Sequence, residues 1–489
     1  MAAPLVDLGL VSKILFICLI TFNASSAEET VHKKPNIVII FADDLGYGDL
    51  PSYGHPTSYS PNIDQLVANG LVFTQFYSAN SVCSPSRASL LTARLPPRTG
   101  IWPGVFSASS TGGLPLNETT IAAVLKPLGY STAIIGKWHL GVGQNQKYLP
   151  TNYGFDSYVG VPYSHDMCPC LKCFYPSDPC FDQCRMYDAS CPLFHNNTIV
   201  QQPVDLTTLT EVYSTEAKNF ISGNAKSGTP FFLYLPFQHT HHPQFAGKYF
   251  RNSTLRGTFG DSLAELDWAV GQIIQELRLQ KVEDNTFVFF TSDNGPSLTR
   301  EVRGGNAGLL KCGKGTTYEG GQRVPGIAYW PGMIKPGRSM ELASTLDLLP
   351  TIVKLTNGTL PRVAIDGVDI GSVLFKSEKS PRKTFFYYFS EAFPQYGVYA
   401  VRYKQYKAHY YTQGSGLSGE ENPDLDCRPT AKRTLHNPPL LYDLHHDPSE
   451  IYNLNSDPQY STILTIITDI KKRFESTVVW SESEVQKKK

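Results

Sequence analysis

Cys83-Ser84-Pro85-Ser86-Arg87 sets a cysteine ahead of a proline and an arginine, and Ala88–Arg94 behind it reads as a helix. Ser84 suits an N-cap and Pro85 the first helical position, which predicts Cys83 at the mouth of that helix. Free backbone N–H groups and the helix dipole favour negative charge there. Arg87, one turn on, adds a fixed positive charge. This is a setting for a nucleophile that handles an anionic group. The plain alternative is a buried or disulfide-bonded cysteine near a helix start.

Other chemistry-bearing residues fall at the ends of apolar runs. Asn36–Ala42 ends in Asp43-Asp44, and Ser131–Ile135 ends in Gly136-Lys137-Trp138-His139. Phe231–Leu235 leads to His239-Thr240-His241-His242, and Thr286–Thr291 to Ser292-Asp293-Asn294-Gly295. Adjacent carboxylates after a buried strand are costly unless something positive meets them. A solvated turn is the competing reading for Asp43-Asp44, and an exposed loop for Lys137 and His139. His239 and His241 would share a face in an extended segment. That suits a two-histidine metal site or a histidine that protonates or binds an anion. Gly308–Lys314 nearly matches a phosphate-binding loop, but Gly315 replaces the required Ser or Thr and no strand precedes it. A nucleotide site is therefore rejected, while Lys314 can still meet an anion. Ser164-His165-Asp166 has the order of a triad, yet adjacent side chains point apart.

These ends need a scaffold. The four runs read as strands, the first as one covered on both faces. Pro61–Asn69, Ile121–Leu128, Leu206–Ser222 and Ser344–Leu355 read as helices. Gly260–Leu279 is amphipathic, with Leu263, Leu266, Val270, Ile273, Ile274 and Leu277 as core. Strands alternating with helices predict an α/β fold, a mostly parallel sheet wrapped by helices. Ligands of such sheets sit at the carboxyl ends of strands. Beyond a polar linker, Lys376–Lys383, the runs Thr384–Phe389, Val398–Tyr403 and Tyr406–Thr412 lack crossover helices and predict a smaller antiparallel sheet. Ser461–Phe474 reads as a closing helix. The division is then residues 28–376 and 377–489.

The 489 residues include 43 basic and 43 acidic side chains. A net charge of zero argues against a nucleic-acid or membrane-surface protein driven by bulk charge. Lys13 ahead of Ile14–Ile20, with small residues at Ser25-Ser26-Ala27, predicts a secretory signal peptide over 1–27. The run is shorter than the roughly 20 apolar residues of a transmembrane span, and no later stretch qualifies. Of ten cysteines, setting aside Cys18 and Cys83 leaves an even number, as a secreted disulfide protein has. Cys170-Leu171-Lys172-Cys173 also has zinc spacing, but the compartment favours disulfides. Sequons at Asn117, Asn196, Asn252 and Asn357 fit the same compartment.

The Cys-x-Pro-x-Arg motif with its Ala-Ser-Leu-Leu-Thr-Ala-Arg tail resembles the signature of the type I sulfatases, and the likeness runs from about Asn36 to Leu454. It includes Lys137-Trp138-His139, Pro162–Asp166, His239-Thr240-His241, Thr291–Pro296, Gly313–Gly321 and Leu441–Leu444. The resemblance implies an alkaline-phosphatase-like fold and sulfate-ester hydrolysis, with Cys83 converted to formylglycine by the formylglycine-generating enzyme. By the same resemblance Asp43, Asp44, Asp293, Asn294 and the modified Cys83 bind calcium or magnesium. One hydroxyl of the aldehyde hydrate attacks sulfur. The other loses its proton towards His139 and expels sulfate. Arg87 steadies the hydrate. Lys137, Ser164, His241 and Lys314 hold the sulfuryl oxygens, with His241 or Lys314 assisting the leaving group, and His409 lies on the substrate side.

The implied substrate is an aryl sulfate or a sulfated galactolipid, with a sulfated carbohydrate as the alternative. The implied place is the secretory pathway, the lysosome or the extracellular space, and a homodimer is left open. The implied bridges are Cys170–Cys184, Cys173–Cys180 and Cys312–Cys427, with Cys168–Cys191 as an additional pair. Rival readings are a metal-dependent phosphoesterase, which would carry Ser or Thr at position 83, and a non-catalytic binder of sulfated glycans.

Overall fold

The computed structural model describes residues 33–168, 172–176, 180, 190–299 and 304–487. Asn36–Ala42 lies inside a sheet that has ten strands among the described residues. Its side chains alternate between two cores. Ile37, Ile39 and Phe41 face one, and Val38, Ile40 and Ala42 the other. That is why the run is apolar without a polar alternation. Burying each large aliphatic side chain contributes about 1.5–3 kcal/mol.

Thr286–Ser292 pairs in parallel on one side of this strand and Phe231–Pro236 on the other. Ser131–Ile135 follows beyond Phe231–Pro236, also parallel. The four strands expected from the sequence are consecutive neighbours, so their carboxyl ends open at one end of the sheet. An antiparallel neighbour of Thr286–Ser292, Gly326–Tyr329, makes the sheet mixed.

Leu206–Ser227 and Gly257–Leu279 cover one face, the second through the apolar stripe read in the sequence. Leu206–Ser227 runs past its expected end at Ser222 and stops where Gly228 takes a left-handed conformation. Cys83–Thr92, Ile121–Leu125 and Leu348–Leu355 pack on the opposite face.

The C-terminal sheet orders Thr384–Tyr387, Ala400–Tyr403, Tyr406–Thr412 and Thr434–Asp443, all antiparallel. The last strand was not expected, because Pro438-Pro439 interrupts its pattern. It is an edge strand, where proline is tolerated. Ser461–Glu475 closes over this sheet through Ile467, and Tyr77 and Leu346 join the same core. Residues 34–489 form one compact unit.

Cys168–Cys191, Cys173–Cys180 and Cys312–Cys427 are bridged. The bridge at Cys173 removes that sulfur from any zinc knot. Cys83 is the free cysteine among the described residues. The signal-peptide segment and the Cys170–Cys184 pair lie outside the described residues. No helix among those described is long and apolar enough to cross a membrane.

Candidate active site

Cys83 is the first residue of the Cys83–Thr92 helix, and every residue of that helix is buried. Ser84 does not cap it, contrary to the sequence expectation. Val82 occupies the N-cap position without a side-chain bond. The Ser84 hydroxyl instead accepts from the Phe106 N–H at 3.2 Å. The Phe106 carbonyl in turn accepts from His139 Nε2 at 2.8 Å. The serine thus fixes the loop that orients the histidine. His139 Nδ1, buried and without a hydrogen-bond partner, is left as the basic nitrogen.

The cysteine sulfur lies among charges delivered by strand ends and by the Lys314 loop. Its Sγ is 3.5 Å from Lys314 Nζ, 3.6 Å from Asp43 Oδ1 and 3.8 Å from Lys137 Nζ. Lys137 Nζ donates to Asp43 Oδ2 at 2.5 Å and to Ser164 Oγ at 3.0 Å. Lys314 Nζ donates to Asp44 Oδ1 at 2.5 Å, and Asn294 Nδ2 to the same oxygen at 2.7 Å. Arg87 Nη2 donates to Asp293 Oδ2 at 2.7 Å and lies 3.4 Å from Asp43 Oδ1. His241 Nε2 is 3.6 Å from Asp44 Oδ2. Asp44 and His139 hold their places with φ of 60° and 57°, left-handed values that cost non-glycine residues energy. The loop after Asn294 runs against the Lys314 loop so closely that a Cβ on Gly295 would stand 1.8 Å from the Gly320 carbonyl oxygen.

Burial pushes the acids up, and the cations act against it. At Asp43 the Lys137, Arg87, His241 and Lys314 charges win, and its carboxyl falls well below the ordinary range. Asp44 is lowered too, by Lys314 and His241. Asp293 is raised to about 7 by burial and then by Asp43, despite Arg87. Three carboxylates in one buried site are not all ionised without more positive charge. Burial holds the His139 imidazole well below its usual value, helped by Lys137 and Arg87. It also lowers His241 to about 3, Lys314 adding to the effect against Asp44, and it pushes the Cys83 thiol up. The unmodified cysteine is thus a neutral thiol.

The donor set fits a hard divalent cation. Asp43, Asp44, Cys83 and His241 offer ligand atoms within 4.8 Å of one another. Asp44 Oδ2 and Asn294 Oδ1 are buried oxygens without hydrogen-bond partners. Oxygen donors of this kind suit calcium or magnesium.

Above this floor opens a cavity of about 490 Å³, lined by Cys83, His139, Ser164, His241 and Lys314 among others. Two sequence expectations fail. His239 does not share a site with His241, because the segment is a turn rather than an extended strand. Its Nε2 meets Glu265 Oε2 at 3.0 Å. His409 stays away from the cavity. It is fully buried under the C-terminal sheet, where Nε2 meets Glu450 Oε1 at 2.7 Å. Its strand turns Lys407 and His409 towards the buried acids Glu319 and Glu450 instead. Residues the sequence reading left out line the cavity mouth, notably Asp166, His242, Glu391 and Leu417. Asp166 and His242 were signalled only by adjacency to Ser164 and His241.

Residues 35–359 match the family model described as Sulfatase, and residues 380–489 match the one described as the C-terminal region of aryl-sulfatase. The chain belongs to the sulfatase family. It is 50% identical over 423 residues to arylsulfatase A of Homo sapiens, covering 86% of this chain and 83% of that protein. It is 38% identical over 390 residues to N-acetylgalactosamine-6-sulfatase of Sus scrofa, covering 78% and 72%. The crystal structure of PsFucS1 sulfatase from Pseudoalteromonas sp. superposes with a TM-score of 0.78 at 26% identity, covering 92% of each chain. The enzyme is a sulfuric ester hydrolase of the arylsulfatase type. Membership implies a formylglycine and a divalent metal.

Proposed function

We propose that this enzyme cleaves sulfate esters with a formylglycine made from Cys83 and a calcium (or magnesium) ion, and that its natural substrate is a sulfated galactolipid of the cerebroside 3-sulfate type. The observation that carries the reading is a buried, unbridged cysteine at a helix N-terminus, within 3.8 Å of two lysines and an aspartate at the floor of a cavity. Asp43, Asp44, Asp293, Asn294 and residue 83 would hold the cation. The modified residue supplies a hydrated aldehyde as nucleophile, and the cation supplies positive charge for the sulfuryl oxygens.

The chain's own residues do the rest. Lys137, Ser164, His241 and Lys314 donate to the sulfuryl oxygens as charge develops on them. Losing one such donor typically costs ~10²–10³ in rate. Arg87 holds Asp43 and Asp293 in place under residue 83. His139, oriented by Phe106, takes up at Nδ1 the proton released as sulfate departs. Lys314, which stays charged, delivers a proton to the leaving oxygen, or His241 does once the bound sulfate's negative charge has protonated it.

The similarity to N-acetylgalactosamine-6-sulfatase favours a second reading, a sulfated carbohydrate as substrate. The proposal includes a catalytic part over 28–376 with a C-terminal part over 377–489. It includes maturation by the formylglycine-generating enzyme in the secretory pathway and residence in the lysosome. Protein from a secretory host should release sulfate from an aryl sulfate and from the galactolipid. Turnover of the aryl sulfate alone would remove the lipid from the reading. Turnover of neither would remove the reading itself.

A further inference from the structure

The floor of the cavity holds lysines and, among the described residues, its mouth does not. The floor gathers Lys314 and, beside it, Lys137. Among the described lining residues the mouth holds no lysine or arginine, and its charged side chains are the carboxylates Asp166 and Glu391. Glu391 is exposed. Asp166 sits on the short turn His165–Met167, two residues beyond Ser164, with 26% of its side chain exposed. Its Oδ2 is 4.0 Å from His242 Nε2. That separation is longer than a hydrogen bond. The Ser164 side chain already donates to Asp166, but a carboxylate has about four acceptor sites and Asp166 Oδ1 has no hydrogen-bond partner, so it retains capacity for a donor on a ligand. Val105, Met167 and Leu417 supply an apolar wall, with Leu417 40% exposed.

Acids at the entrance of a site for an anion do not help the sulfate, which belongs beside the lysines of the floor. They act on whatever the sulfate is attached to. A sugar hydroxyl donates well to a carboxylate, whereas an aryl ring without a hydroxyl gives it nothing. A leaving group with a second sulfate or a carboxylate would bring like charges together and be rejected.

We propose that the mouth selects a neutral, hydroxyl-bearing leaving group, a monosulfated sugar, with Asp166 accepting one of its hydroxyls and Glu391 joining it in excluding further anionic groups. This rests on the sulfate-ester reading above. It separates the galactolipid, whose sugar carries one sulfate, from polyanionic carbohydrates.

The test compares kcat/KM on three probes: 4-methylumbelliferyl sulfate, methyl β-galactoside 3-sulfate and methyl β-galactoside 3,6-disulfate. The enzyme should prefer the monosulfate to the disulfate. Asp166→Asn, which keeps the shape and removes the charge, should lower the ratio of galactoside to aryl sulfate by about tenfold, since a hydroxyl bonds an ionised acceptor about twice as strongly as a neutral one. Adding Glu391→Gln should raise the disulfate relative to the monosulfate. Aryl sulfate turnover in the same preparation verifies that each variant is folded. An unchanged galactoside-to-aryl ratio in Asp166→Asn, or preference for the disulfate by the unaltered enzyme, would overturn the proposal. Failure on all three probes by protein already carrying formylglycine would take the sulfate-ester reading down with it.

Discussion

Glu319, Lys407, Glu450 and His409 are as deeply buried as the charged floor of the active site, but every carboxylate oxygen among them is matched. Glu319 Oε1 accepts from Lys407 Nζ at 3.0 Å and from the Tyr387 hydroxyl at 3.1 Å. Its Oε2 accepts from the Tyr77 hydroxyl at 2.5 Å. Glu450 Oε1 meets His409 at 2.7 Å and Lys407 at 3.0 Å, and its Oε2 accepts from the Glu319 N–H at 2.7 Å. At the active-site floor Asp44 Oδ2, Asn294 Oδ1 and His139 Nδ1 stand without hydrogen-bond partners. One cluster spends all its carboxylate valences inside the protein, leaving His409 Nδ1 open away from the cavity, and fastens the C-terminal sheet to the segment after Lys314. The other keeps some open for a cation, a proton and a substrate. Burial and charge alone do not separate a structural cluster from a catalytic one. Unfilled donor atoms beside a cavity do.

The two clusters should fail in different ways. Cys83→Ser should lower sulfate-ester turnover by on the order of 10⁴-fold or more, the scale of losing a nucleophile, with the thermal midpoint unchanged. Near-normal turnover in that variant would end the distinction. Lys407→Met removes the one cation that Glu319 and Glu450 share, and should cost about 3–5 kcal/mol in denaturant unfolding. Folded enzyme that survives should still turn over. A loss confined to activity would make the closed cluster catalytic.

Stripping divalent cations should lower the thermal midpoint, and calcium at about 100 times its Kd should return about 2.7 kcal/mol. Lys407→Met should show the same increment, since its defect is elsewhere. No shift with calcium or magnesium would speak against the proposed ligands.

The smallest effect is in pH. Burial pushes the Glu319 carboxyl up, but Lys407, Arg323 and Arg402 outweigh it and bring it to about 2, against an ordinary 4.5. A depressed carboxyl stabilises the fold above its unfolded pKa. That contribution should fade as pH falls from about 4.5 towards 2. Glu319→Gln should flatten stability across this window, and an unaltered slope would show the acid is not held by those cations.

Part of the charged floor was legible because Asp43, Lys137 and Asp293 follow apolar runs that read as strands. Asp43, Lys137 and Asp293 meet because Asn36–Ala42, Ser131–Ile135 and Thr286–Ser292 share one sheet with their carboxyl ends together. His409 was misplaced for the opposite reason. Lys407 and His409 share one face of a strand, but the partners that define that face, Glu319 for Lys407 and Glu450 for His409, lie 88 and 41 residues away. Ser84 had the composition of a cap, and the close approach of Phe106 decided otherwise. Asp44 and His139 are residue types that visit the left-handed region more often than most, but nothing in the sequence says which Asp or His does so. The cavity mouth depends on how loops meet, which is why Glu391 emerges only in three dimensions and Asp166, named in the sequence as part of Ser164-His165-Asp166, gains its place at the mouth only there.

The central claim is that position 83 carries an aldehyde rather than a thiol. The mass of the tryptic peptide ending at Arg87, from protein made in a secretory host together with the formylglycine-generating enzyme, tests it directly. The account predicts a peptide lighter by the replacement of the CH₂SH side chain with CHO. An unmodified cysteine in protein that still hydrolyses sulfate esters would contradict it.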